Sequence, residues 1–197
     1  MARGFLLIGA ALMMAGCATR TPPAALWHLD AVTPMPASWQ AEAPSVYVAA
    51  VRVPRYVDRP EVMQRAGPSR LDAAALHRWA EPLERSVTRV LGEDLARRLA
   101  SQRVFTYPEE PRLAVDYRVW VEVVRLDGQV GDALYLVARW SLADGATGTV
   151  VATSREDVAV PAGDSMASFV AAHAQALDQV AASIAAAVRR AGEMAGD

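Results

Sequence analysis

Between Arg112 and Val123 the chain alternates with a period of two. Leu113, Val115, Tyr117, Val119, Val121 and Val123 fall on one side, and Arg112, Asp116, Arg118 and Glu122 on the other. Successive side chains of a β-strand point to opposite faces, so this pattern demands a strand with one buried and one solvated side. Asp127-Gly128 and Asp144-Gly145 then punctuate two further runs, Ala133 to Ala143 and Thr149 to Val160. Turn residues at that spacing predict a three-stranded antiparallel meander over residues 112–160, closed by Pro161. The apolar face of such a meander must be covered by another layer.

Two helices are available to cover it. Leu83, Val87, Leu91, Leu95 and Leu99 recur every four residues with Val90 beside them, predicting a helix from about Glu81 to Ala100. Pro82 suits its first turn, where the missing N–H costs nothing. Glu81–Arg85, Glu93–Arg97 and Asp94–Arg98 are spaced as i,i+4 pairs, which marks that side as the solvated one. A second helix is expected from about Ser165 to Ala191, capped by Asp164 or Ser165. Its stripe is Phe169, Ala172, Ala176, Leu177, Val180, Ile184, Ala187 and Val188, and so many alanines imply a close approach to the sheet. Arg189-Arg190 occupy its last turn, where the helix dipole favours positive charge.

Upstream, Ala25 to Asp30 has the character of a short strand, and Ser45 to Pro54 that of a central one, rich in β-branched residues. Pro54 and Pro60 bracket an edge or loop segment, and Glu61 to Arg65 suits a short strand before the Gly67-Pro68 turn. The economical assembly is an α/β chain of the α+β kind: one mixed, largely antiparallel sheet with both helices packed on one face. Passage through the first helix adds a parallel pair of strands.

The N-terminus is of a different kind. Met1-Ala2-Arg3 is followed by an apolar run from Gly4 to Ala15. At about 1.5 Å per helical residue the run spans roughly 18 Å, well short of a bilayer core of about 30 Å. A basic start, a short apolar core and small residues at its end are the marks of a secretory signal. The rival, a buried N-terminal helix, fits poorly with Arg20-Thr21-Pro22-Pro23 immediately after it. Met14-Ala15-Gly16-Cys17 resembles the lipobox of bacterial lipoproteins, which are cleaved before the cysteine and acylated on it. Residues 1–16 are accordingly expected to be a signal peptide, 17–23 the lipidated Cys17 and a tether, and 24–197 one periplasmic domain. Two or more acyl chains make such an anchor stable. By resemblance to enterobacterial sorting, Ala18 in place of Asp favours the outer membrane over retention at the inner one.

Composition excludes several classes. The chain has 20 basic residues, all Arg, against 22 acidic ones; without residues 1–16 the formal charge is −3. That is no footprint for nucleic acid. Cys17 is the only cysteine, so acylation leaves no thiol for a disulfide or a metal. None of the three histidines, His28, His77 and His173, is spaced with a nucleophile. Gly163-Asp164-Ser165 superficially resembles the nucleophile block of GDSL hydrolases, but it opens a helix and lacks the downstream Asp-x-x-His element. No enzyme, cofactor or metal is expected.

One residue breaks the meander's pattern. Trp120 lies in phase with Arg118 and Glu122 on the polar side of its strand. If the helices cover the other side, Trp120 shares an open face with Tyr135, Val137 and Arg139 of the next strand, a combination enriched where proteins meet. Alternatively, the Pro-rich stretch 34–44 covers Trp120.

Two blocks carry a family resemblance. Val53-Pro54-Arg55-Tyr56-Val57-Asp58-Arg59-Pro60 resembles the post-strand segment of the PqiC-type ABC-transport auxiliary lipoproteins. Arg78-Trp79-Ala80-Glu81-Pro82-Leu83, leading into Val90 to Leu95, resembles their next block. The order of lipobox, first strand with Trp27-His28-Leu29, blocks, meander and terminal helix also fits, so the likeness spans the mature chain. It implies a non-enzymatic accessory of an MCE-type envelope lipid transporter, which docks a periplasmic conduit at the outer membrane as a ring-forming homo-oligomer. The implied partners are an MCE-domain protein and the ABC and permease components of the same system. Tyr56, Asp58 and Arg59 become candidate partner-binding residues alongside Trp120, Tyr135 and Arg139. Trp79 equally suits a staple of the loop onto the first helix. The rivals from other classes are a lipoprotein regulator of a cell-wall enzyme and a lipid-anchored hydrolase.

Overall fold

The computed structural model describes residues 22–109, 111–112 and 114–195. The expected signal peptide, Cys17 and Leu113 therefore lie outside the described residues. The elements are β1 (Ala25–Trp27), β2 (Val46–Val48), β3 (Glu61–Gly67), β4 (Arg70–Trp79), α1 (Leu83–Leu99), β5 (Val104–Thr106), β6 (Tyr117–Gly128), β7 (Ala133–Asp144), β8 (Val150–Pro161) and α2 (Met166–Ala195).

The expected class is present: a mixed, mostly antiparallel β-structure with two helices packed against it. The strands, however, divide between a five-stranded sheet in the order β5-β2-β6-β7-β8 and a three-stranded sheet in the order β1-β4-β3. The division has a cause in the chain. Pro54 and Pro60 offer no N–H to a ladder, and residues 55–57 form a turn between them. β2 stops at Val48, with one bridge from Arg52 to Glu122 beyond it, instead of running to Pro54 as expected. The chain that leaves this turn pairs with β4, with register shifts at both ends of β3.

In the larger sheet the meander is as expected. β6 pairs antiparallel with β7, and β7 with β8. β2 is central and parallel to both β5 and β6, so α1 makes the parallel crossover anticipated for it. The first meander strand begins at Tyr117, later than expected. Asp116 is engaged elsewhere, its carboxylate accepting the Ser45 backbone N–H (2.6 Å) and hydroxyl (2.7 Å).

Every predicted stripe residue of both helices is buried. Ser165 caps α2, its hydroxyl accepting the Ser168 N–H at 3.1 Å, so the Gly163-Asp164-Ser165 block is a helix start. Gly92 sits in α1 where a Cβ would stand 2.2 Å from Thr106 Cγ2 of β5. Alanine usually gains about 1 kcal/mol over glycine within a helix, whereas overpacking costs about 1–3 kcal/mol. Gly92→Ala is therefore expected to lower stability by about 1 kcal/mol or more, read as a lower urea midpoint.

The charged side of α1 is not simply solvated, which corrects the expectation. Glu93–Arg97 does form, at 3.8 Å, but Glu81 pairs with Arg89 and Arg98 with Asp178 of α2. The remaining groups hold residues 28–33 as a strap across the helices. Arg89 donates to the Leu29 carbonyl (2.8 Å). Arg97 donates to the carbonyls of Ala31 (3.0 Å) and Thr33 (2.9 Å). Asp94 accepts the Thr33 N–H at 2.8 Å and is fully buried. The Thr33 hydroxyl donates to Asp178.

Candidate docking surface

The two faces of the meander differ as their sequences demand. Val119, Val121 and Val123 of β6 and Leu134, Leu136, Ala138, Trp140 and Leu142 of β7 are buried. Trp140 donates its indole N–H to Glu156 (3.1 Å), which also accepts the Ser183 hydroxyl of α2 (2.6 Å). Burial alone would raise the Glu156 carboxyl, but these donors outweigh it and hold the group below the usual range. That side belongs to the helices.

On the other side Trp120 is 45 % exposed. The stretch 34–44 does not cover it; Gln40 donates to the Ala100 carbonyl (2.8 Å) and Arg103 to Ala43, beside the end of α1. Register fixes the neighbours of Trp120. It stands opposite Ser141, which stands opposite Thr153. The next row runs Arg52, at its isolated bridge, then Glu122, Arg139 and Arg155 across three strands. Together these residues line a shallow groove of about 550 Å³. Arg155 is turned to Asp157 (2.8 Å). With Arg155 matched by Asp157, Arg52 and Arg139 against Glu122 leave a small excess of positive charge that suits an acidic partner, and the exposed indole beside them supplies a large rigid contact.

The candidates from sequence are distributed unevenly. Trp120 and Arg139 share this groove. Tyr135 lies further along the same face and is half-buried, with the Arg125 guanidinium 4.6 Å over its ring. Arg52 and Arg155 were not singled out, because only strand pairing brings them into the row. Tyr56, Asp58 and Arg59 do not join it. Tyr56 faces inward: its hydroxyl donates to Asp127 (3.0 Å) and accepts the Leu126 N–H (3.3 Å). Its phenol is raised by burial first and then by the Asp127 charge, against the opposing Leu126 N–H. Asp58 and Arg59 are exposed and line a separate concavity of about 360 Å³ with Trp79 to Pro82. The two sequence blocks thus meet, joined by Trp79 N–H to the Pro60 carbonyl at 2.8 Å. Trp79 itself is buried, a structural position, but its ring stands edge-on to His173 of the second helix at 5.4 Å and not, as expected, against the first. His77 accepts the Trp27 indole N–H (2.9 Å). His28 lies beside Asp30 (3.1 Å) and Arg89 (2.8 Å).

The model of the family described as the ABC-type transport auxiliary lipoprotein component matches residues 27–185. The chain belongs to this family. As a member it is a non-enzymatic accessory of envelope transport and is associated with an ABC/MCE-type system. Proteins of the PqiC type are generally periplasmic or outer-membrane lipoproteins. Among the described residues of this auxiliary lipoprotein, no group of three or more His, Cys, Asp or Glu could hold a metal ion. No described helix is long and apolar enough to cross a membrane.

Solved structures share the fold. Protein XCC0632 from Xanthomonas campestris is similar at 21 % identity and a TM-score of 0.69, over 88 % of this chain and 99 % of that one. A structure titled only as an uncharacterized protein is similar at 20 % identity and a TM-score of 0.67, over 83 % and 97 %. No curated protein matches closely enough to count as a relative.

Proposed function

We propose that this auxiliary lipoprotein is anchored through Cys17 to the periplasmic face of the outer membrane and docks the MCE-domain conduit of a lipid transporter. The groove around Trp120 is its contact surface, and Asp58 and Arg59 offer a second contact at the edge of the same domain. The observation that carries this reading is Trp120 itself. It is the meander's one exposed tryptophan, set among Arg52, Arg139 and Arg155 on the face that the helices leave open. The twelve-residue β8 at the edge of the sheet, with Val150 and Val151 exposed, supports assembly of several copies.

The test is a pull-down from detergent-solubilised envelope with the wild-type chain and Trp120→Glu. An exposed site tolerates such a change within about 0.5 kcal/mol of stability. Loss of an anchoring tryptophan costs association about 2 kcal/mol, roughly thirtyfold in Kd. The expected result is recovery of an MCE-domain protein by the wild type and its loss with the variant, at an unchanged unfolding midpoint. Recovery of a peptidoglycan synthase without an MCE protein would overturn the reading in favour of a cell-wall regulator. Loss of cooperative folding in the variant would show Trp120 to be core.

A further inference from the structure

We propose that the margin of the three-stranded sheet around Leu26 and Leu76 rests in the headgroup layer of the leaflet that holds the protein. This rests on the reading of Cys17 as the acylated residue. The first constraint is chain length. The described chain starts at Pro22, five residues after Cys17. A fully extended chain covers at most about 3.3–3.6 Å per residue, so Pro22 lies within about 18 Å of the acylated cysteine. The headgroup region itself occupies roughly 5–8 Å on each side of the hydrocarbon. Whatever surface surrounds Pro22 therefore faces the membrane at close range.

That surface carries exposed leucines and alanines beside the Glu61–Arg78 pair and the half-buried His77. Leu26, on the edge strand β1, is 69 % exposed, and Leu76 of β4 is 41 % exposed. Pro22, Ala24 and Leu76 line one shallow concavity of about 250 Å³, with Ala73 and Ala75 exposed beside them. Leu76 also adopts a φ of +61°, the left-handed region that a leucine rarely enters. It lies where the β3–β4 register shifts, between the pairs Glu61–Arg78 and Met63–Ala73, and this bulge turns the Leu76 stretch of β4 out of regular alternation. The charges of this margin do not oppose a membrane. Arg78, opposite Leu26 in the register, lies 3.6 Å from Glu61, and Arg70 is paired with Asp72 at 2.5 Å. Each of these two carboxylates is matched by a guanidinium, so neither stands alone against phosphate groups.

The experiment uses the full-length lipidated protein in vesicles of phosphatidylethanolamine and phosphatidylglycerol. An acylated Cys17 has no free thiol, so Leu26→Cys and Leu76→Cys each carry one reactive site for an environment-sensitive fluorophore. Ala146→Cys, in the β7–β8 turn, is the control. β7 spans about 36 Å, and the small sheet meets its other end, where Arg65 binds Asp127 and Val130 donates to Gln64. The expected result is a blue-shifted emission at positions 26 and 76, quenched several-fold more strongly by spin-labelled lipid than at position 146. Equal quenching at all three sites in protein that co-floats with vesicles would overturn the proposal. So would a blue shift that survives detergent and ignores the labelled lipid, which would place a second copy over the margin. Protein that fails to co-float, or a wild-type chain whose Cys17 takes the label, would instead overturn the acylation reading, and the proposal with it.

Discussion

Replacing Asp127 with alanine is expected to destabilise the domain by about 2–3 kcal/mol, one of the two largest effects foreseen here. Asp127 is almost completely buried at the end of β6, and three groups converge on it. Arg65 of β3 reaches both carboxylate oxygens, through Nε and Nη2 at 2.9 Å each. Arg125 adds two bonds, at 3.0 and 2.9 Å, and the Tyr56 hydroxyl a further one. Both arginines keep part of their surface in water, which moderates the cost of leaving them unpaired. Tyr56→Phe should cost about 1 kcal/mol, and the double variant less than the sum, because both substitutions cut the same network. Urea unfolding of the four chains measures this directly. Additive losses would show that the Tyr56 contact is independent of the carboxylate. Burial alone would raise the Asp127 carboxyl, but the bonds from Arg65, Arg125 and Tyr56 outweigh it and hold it low. Its stabilisation is thus present above the unfolded pKa of about 3.8–3.9 and disappears as pH falls through the lowered folded value. Below that point the wild type should approach the variant.

The second large effect is a loss of stability on mild acidification, centred on His173. Its ring is packed edge-on between Trp79 (5.4 Å) and Phe169 (4.8 Å), with Nδ1–H donating to the Phe169 carbonyl at 2.8 Å. Burial is the dominant influence and lowers its pKa from 6.5 to about 4, against the smaller opposing effect of that carbonyl. The folded state therefore keeps the ring neutral while the unfolded chain takes up a proton first. The His173 contribution should be flat above pH 6.5, fall by up to about 3 kcal/mol on the way to pH 4, and level off below it, where the loss through Asp127 takes over. Asp94 acts in the opposite sense. Burial raises its carboxyl, against the Thr33 N–H, so it favours folding as pH falls through that raised value. Thermal unfolding of the wild type and His173→Gln across pH 4–7 separates the two. The variant should lose the downward slope whatever its absolute stability, and a slope of unchanged size would assign the effect elsewhere.

The sequence made the meander and the helices legible because their periods are strong. The alternation through Val119, Val121 and Val123 and the four-residue stripe of α1 each point one way, and tertiary packing agrees with them. Arg70 to Trp79 carried no such signal. Its Arg-Leu-Asp-Ala-Ala-Ala-Leu-His run lacks a period of two, and the positive φ at Leu76 breaks the alternation further. It is a strand because β1 and β3 pair with it on both sides. The three-residue β5 exists for the same reason, beside β2. At the site, the place of Trp120 on the polar face was legible from strand phase, but its exposure was not, because the course of the 34–44 stretch carries no period. The row from Arg52 to Arg155 was not legible, because it depends on register across three strands and on the isolated bridge at Arg52. The course of Tyr56 was not legible either, since a turn between prolines says nothing about which way an aromatic points. Only the buried acid at Asp127 explains its inward course.

The strap over α1 and α2 has a mechanical consequence. A pull on the N-terminus meets β1 first, whose three pairs with β4 run parallel to it. The same tension then reaches the bonds that Arg89, Arg97, Asp94 and Asp178 make to residues 29–33, one after another. Load is thereby spread over both helices before it can reach β2 and the interior of the sheet. A leash built in this order can peel from its end while the core it carries stays folded.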